Sequence, residues 1–266
     1  MNFLRRELAP ISQSAWAEID TLAKETLSTN LSGRRIVDFD GPHGPAYSCV
    51  PTGRLSVPQD QKDAMVKYGV HQVLALVETR VPFRLPIWEL DNADRGAKDI
   101  QLDALVKACQ EIASFENKAI FNGFEAGGIS GLLQATQYPK IDIALNAESI
   151  IDAISEGKAQ MLTSGVSGPA HLAVSIPLWS CLAHNVPGGT LRSIIERQIG
   201  GNVVFSADID GALLVSARGG DTELTVGQDI AIGYTSYTNT EVELYLTESF
   251  TFRVIAPEAV VGFTLR

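Results

Sequence analysis

The sequence predicts an α+β fold, and three observations carry that prediction. Residues 102–121 place Leu102, Leu105, Val106, Cys109, Ile112, Ala113, Ala119 and Ile120 at helical spacing, and Gly123 supplies a stop. Residues 36–90 read as β-like but are broken by Gly41, Pro42, Gly44, Pro45, Pro51, Gly53 and Pro58. Residues 241–255 alternate over far more positions than the usual strand of about five or six. Long helix, punctuated β excursion and long strand thus lie in separate parts of the chain.

The elements follow in order. Pro10 and Ser12 open an amphipathic helix that carries Trp16, Ile19, Ala23, Leu27 and Leu31 and stops before Gly33. Such a helix either clamps its own core or offers a face to a partner. Within 36–90, the run 70–85 is extended and ends at Pro86, yet Pro82 and Pro86 argue against a central strand. It is a loose hairpin or an arm that is ordered only against another subunit. Residues 88–96, WELDNADRG, read locally as a charged turn with a helix-start signal. Cys109 sits in the apolar stripe of the long helix as a small core hydrophobe. After the corner Gly127, Gly128, Gly131, Asn146 caps a helix bearing Ile150, Ile151, Ile154, Met161 and Leu162. A strand at 172–176 leads into a helix opened by Ser175 and Pro177. A loop at 184–190, a helix over Leu191–Ile199 and strands at 203–206 and Ala212–Ser216 come next. In the final strand Val242, Leu244 and Leu246 share a face, and the phase drifts near Phe250. Repeats, low-complexity tracts and clean linkers are absent, so any two domains share segments.

Composition narrows the function. A chain of 266 residues with 45% hydrophobic and 20% charged residues is that of an ordinary globular protein, in one large or two intimately packed domains. A net charge of −10 disfavours a nucleic-acid binder. Three scattered cysteines (Cys49, Cys109, Cys181), no apolar signal region and no long apolar run point to a reducing cytoplasm without a membrane span. The motifs of catalysis fail. Gly165-Val166-Ser167-Gly168 has its second glycine one place early for a nucleophile elbow, and Gly157-Lys158 lacks the rest of a phosphate-binding loop. Cys181 and His184 have a ligand-like spacing but no second pair, and the four histidines lie in separate elements. Glu89, Asp91 and Asp94 read as a solvated turn rather than an acid–base pair. The expectation is a protein that is not an enzyme and holds no metal.

Four runs in register along the chain carry a family resemblance: LRRELAPIS (residues 4–12), WELDNADRG (88–96), RGGDTELTVGQDIAIGY (218–234) and LYLTESFTFRVIAPEA (244–259). Together they resemble the encapsulins, shell proteins once also named for a secreted bacteriocin or protease activity. The resemblance implies the fold of tailed-bacteriophage major capsid proteins, the Hong Kong ninety-seven type, with P domain, A domain and E loop. Placed on this sequence, 1–47 is the N-terminal helix and start of the P domain, 48–90 the E loop, and 91–134 the P domain with the spine helix. The A domain then spans 135–220 and the closing P-domain strands 221–266. The implied function is a self-assembling icosahedral nanocompartment of about sixty copies in the cytoplasm. It encloses a cargo enzyme recognised by a C-terminal targeting peptide, a dye-decolourising peroxidase ahead of a ferritin-like iron-storage protein. The nearest rival is a tailed-phage or prophage major capsid protein, although this chain begins its helix by about Ser12 without a long scaffold-like segment. A cytosolic enzyme with an unrecognised site is the rival from another class.

The resemblance also implies sites. Leu27, Leu31, Arg34 and Asp38, with Ile230, Ile232 and Tyr234, would take the cargo peptide: apolar side chains for its aliphatic residues, Arg34 and Asp38 for its polar ends. His184, Asn185, Val186, Pro187, Gly188 and Gly189 would line a pore. Some shells of this family hold a flavin, which here would stack on Trp88 with Arg80 supplying a cation.

Overall fold

The computed structural model describes residues 3–61 and 65–266. Its first sheet is built on β13 (Glu241–Val254). This strand pairs antiparallel with β4 (Val77–Pro86) along one edge, and with β12 (Ala231–Tyr237) and then β11 (Thr222–Val226) along the other. A two-residue β1 (Phe39–Asp40) adds parallel to β11. Val242, Leu244 and Leu246 face one core as the alternation predicts. Phe250 and Phe252 lie on the same face but reach a second core, so the phase expected to drift near Phe250 is kept, and only the acid Glu248 interrupts the apolar row.

The long helix forms as expected, as α3 (Asp103–Asn122), and Gly123 follows it at φ +87°. Its buried stripe meets α1 (Gln13–Asn30) and the inner face of β13. Ser12 caps α1 by accepting the Ala15 N–H at 3.2 Å. Cys109 is fully buried in this core, and burial pushes its thiol up to about 11, so it packs as a hydrophobe. The run 88–96, expected as a turn, is mostly helical: α2 (Ile87–Asp94) buries Leu90 against the same core.

Two boundaries differ from expectation. The run 70–85 was expected to be ordered only against a neighbouring subunit, within an E loop spanning 48–90. Its second half is instead β4, in register with β13 from Pro86↔Glu241 to Val77↔Phe250, with Phe83 and Leu85 buried. The prolines fit because β4 is an edge strand, whose outward N–H groups have no ladder to serve. Only the hairpin of β2 (Cys49–Ser56) and β3 (Val70–Ala75) projects as a separate two-stranded arm. The second difference concerns the closing segment 221–266, expected as strands that rejoin the P domain. Its last strand, β14 (Val260–Leu265), lies in the second sheet between β5 (Ile141–Ile143) and β10 (Ala212–Ser216).

That second sheet continues through β6 (Ala170–Val174) to β9 (Val203–Phe205). Its core is filled from α5 (Ala147–Thr163), capped by Asn146, and from α6 (Ile176–Leu182) and α7 (Leu191–Ile199). A short α4 (Leu132–Ala135) bridges α3 to β14. The expected loop at 184–190 is a tight hairpin of β7 (Asn185–Val186) and β8 (Gly189–Thr190). No described helix is long and apolar enough to cross a membrane.

Candidate binding groove

The buried stripe of α1, Ala15, Ile19 and Ala23, continues into the half-buried Leu27 and Leu31. Here the helix end stands off the sheet and leaves a groove of about 420 Å³ between α1, the 3-10 turn Gly33–Arg35 and strands β12 and β13. Its apolar wall is Ala23, Leu27, Leu31, Ile230, Ile232 and Leu246, and Arg6, Asp20, Lys24, Ser28, Arg34 and Asp229 rim it. Of the residues expected to bind a peptide, Leu27, Leu31, Arg34, Ile230 and Ile232 are therefore brought together.

Asp38 and Tyr234 are not. The Asp38 carboxylate accepts the Gly220 N–H at 2.7 Å and closes a turn in which Gly219 and Gly220 both hold positive φ. Tyr234 lies farther along β12, where its N–H donates to the Leu4 carbonyl at 2.8 Å. It lines a separate hollow with Phe3, Arg5, Arg80 and Tyr245. The N-terminal segment crosses the strand there and ends the groove, with Arg6 paired to Asp20 at 2.8 Å and stacked 4.0 Å from the Trp16 ring centroid.

Arg34 is present but committed. Its Nε and Nη2 donate to Glu116 at 2.7–3.0 Å, Nη1 donates to Asp229 at 2.9 Å, and Nη2 also meets Glu248. Burial alone would lower the guanidinium pKa, but these three carboxylates outweigh it and hold Arg34 charged. It thus braces the floor of the groove, and the polar groups open to a ligand are Asp229, Lys24 and Ser28. These neighbours were missed by sequence reasoning, although a signal existed. Asp20, Lys24, Ser28 and Leu31 recur at spacings of three and four on one helix face. Glu248 falls two places after Leu246, on the core-facing side of its strand, where an acid is out of place.

The residues expected to line a pore form the β7–β8 hairpin, turning at Pro187-Gly188 with Gly188 and Gly189 at φ +101° and +134°. All except the half-buried Val186 are exposed. The residues expected to hold a flavin do not fit one within a single subunit. Trp88 is 79% exposed on α2, while Arg80 pairs with Glu78 at 3.2 Å and lies 4.8 Å from the Tyr245 ring centroid. From Arg80 to Pro86 alone β4 runs about 20 Å, too far for the two to flank one ring. Cys181 donates to the Leu145 carbonyl at 3.5 Å, and no group of three or more potential ligands able to hold a metal occurs among the described residues.

A long clamped strand, a spine helix, a second α/β sheet and a projecting hairpin are the parts of a capsid-type shell subunit. The solved structures agree. A virus-like particle from Pyrococcus furiosus aligns with a TM-score of 0.61 at 15% identity over 91% of this chain and 97% of the other. The capsid of Myoviridae phage XM1 aligns at 0.55 and 11% over 90% of this chain and 92% of the other. These likenesses establish the Hong Kong ninety-seven type of fold. Sequence comparison then gives the family: a family model described as "Encapsulating protein for peroxidase" matches residues 1–251. Type 1 encapsulin shell proteins are similar over nearly the full length. That of Rhodospirillum rubrum is 39% identical over 98% of this chain and 96% of its own, and that of Brevibacterium linens 37% over the whole of both. The chain belongs to the encapsulin shell protein family, whose members are structural proteins that assemble into shells rather than enzymes.

Proposed function

We propose that this shell encloses a cargo enzyme in the cytoplasm and that the groove beside α1 holds the C-terminal tail by which the cargo is recruited. One observation carries the reading: an apolar trough, walled by Leu27, Leu31, Ile230, Ile232 and Leu246, with polar groups only at its rim. Such a trough suits an extended segment with aliphatic side chains and one or two polar ends. The affinity of each site need not be high. An oligomeric cargo inside a closed shell meets many identical grooves, so a weak contact loads efficiently through avidity. A peroxidase is the favoured cargo, in keeping with the description of the family model. A ferritin-like protein is the second choice. The exposed β7–β8 hairpin is the proposed rim of a pore through which small substrates reach the cargo.

Particles purified from the native host should elute at megadalton size and carry an enzyme identifiable by mass spectrometry. Leu31→Asp places a charge in the apolar wall without touching the sheet, so its shells should elute unchanged but empty. Full loading of that variant would show that the tail docks elsewhere.

A further inference from the structure

Beneath the groove lies a pair of acids that tail docking does not use. Glu116, from α3, and Glu248, from β13, are both fully buried at 0% exposure. Both close on the single guanidinium of Arg34. Glu116 Oε2 and Glu248 Oε1 accept from the same Arg34 nitrogen, Nη2, which brings the two carboxyl groups together. Glu248 Oε2 is buried and has no hydrogen-bond partner among the described residues. Two ionised carboxylates against one cation leave an uncompensated charge in a dry site, which favours uptake of a proton. A proton on Oε2 would remove the surplus charge at an oxygen that no donor satisfies.

We propose that Glu248 holds a proton beside Glu116 beneath the groove, and that its loss at raised pH opens the groove.

The surrounding charges support the first half. Asp229, 44% exposed in the turn between β11 and β12, is a third acid on Arg34. From α1, Asp20 is neutralised by Arg6 and Lys24 lines the rim. On β4, Glu78 and Arg80 pair with each other at the surface. Among the described residues Arg34 is the only cation paired with Glu248. Burial first, and then the Glu116 carboxylate, hold the Glu248 carboxyl well above its ordinary value of 4.5, against the opposing pull of Arg34.

The second half follows from connectivity. Leu246 shares a strand face with Glu248 and lines the groove. Asp229 accepts both an Arg34 N–H and the Ile230 N–H, at 2.9 and 2.8 Å, and so sets the turn that carries Ile230. A second buried negative charge would compete for Arg34 and repel Asp229, loosening that turn. Because the folded pKa is raised, this contribution to stability is complete below about 4.5 and is lost as pH rises through the folded value. A tail docked above the pair would be released over the same range, a consequence that rests on the proposed role of the groove. The test does not rest on it.

Infrared spectra of assembled wild-type shells at neutral pH should show the carbonyl stretch of a buried protonated carboxylic acid, lost reversibly as pH is raised. Hydrogen exchange in peptides covering the end of α1 and residues 228–232, corrected for intrinsic rates, should then speed up by at most about tenfold per pH unit beyond that point. Glu248→Gln is isosteric with the protonated acid. It should lack the band and keep the groove protected across the whole range. Glu116→Gln should lack the band as well, so the assignment does not depend on one variant folding. Absence of the band in wild type, its survival in both variants, or groove exchange indifferent to pH would overturn the proposal.

Discussion

Asn117 shows how much one side chain can hold together. At 1% exposure on α3, it accepts the Gly33 N–H at 2.9 Å and donates to the Asn30 carbonyl and to Asp208, each at 2.8 Å. It therefore fixes the end of α1, the turn carrying Arg34 and a loop of the second sheet. Asn117→Ala would strand a buried N–H and a carbonyl, a loss of about 2–4 kcal/mol. In a chain of this size that lowers the unfolding midpoint by roughly 4–16 °C. Urea unfolding at fixed protein concentration would measure it, and a change under about 0.5 kcal/mol would mean that water replaces all three bonds. Gly233 makes a related point about space: a Cβ there would lie 2.2 Å from the Tyr245 ring, so the GQDIAIGY run needs glycine for close approach.

At the scale of elements, what was legible in the sequence was what local pattern decides. The boundaries of α1, α3, α7 and β10 follow from periodicity and caps within each segment, and β13 from its own alternation. Pairing between distant segments was not legible. Nothing near Pro82 reveals that its partner is Tyr245, and nothing in the closing run reveals that β14 crosses to the second sheet. The groove was half legible for the same reason. Leu27 and Leu31 belong to a visible helical stripe, whereas the commitments of Arg34 to Glu116 and of Asp38 to Gly220 are contacts across the fold. The β2–β3 hairpin is the element whose exposed apolar residues lack a use within the subunit: Leu55, Val57, Val70 and Val73 are 51–60% exposed. A two-stranded arm is marginal alone, and its apolar side chains suit burial against a neighbouring copy. The double variant Leu55→Lys/Val70→Lys should keep the far-ultraviolet circular dichroism of the folded subunit, since exposed substitutions cost within about 0.5 kcal/mol. Gel filtration should then find small species in place of shells, and intact shells would show that the arm is dispensable for assembly.

For the whole molecule the decisive quantity is charge multiplied by symmetry. Each chain carries −10, and closure gathers many such chains at fixed spacing, so every contact is made against like-charge repulsion. The range of that repulsion depends on salt. At about 10 mM ionic strength the Debye length is about 30 Å and reaches across neighbouring subunits, whereas at about 150 mM it is about 8 Å and does not. Apolar contacts such as those of the hairpin change little over that span. The urea concentration at which light scattering reports dissociation should therefore rise as sodium chloride is raised from about 10 to about 150 mM. The Leu55→Lys/Val70→Lys subunit is the control: it makes no shell, and its unfolding midpoint should move much less. If salt instead lowered the dissociation midpoint, the contacts between subunits would have to be dominated by pairs of opposite charge. The acidic surplus would then lie away from the interfaces, and the apolar arm would not be what holds neighbouring copies together.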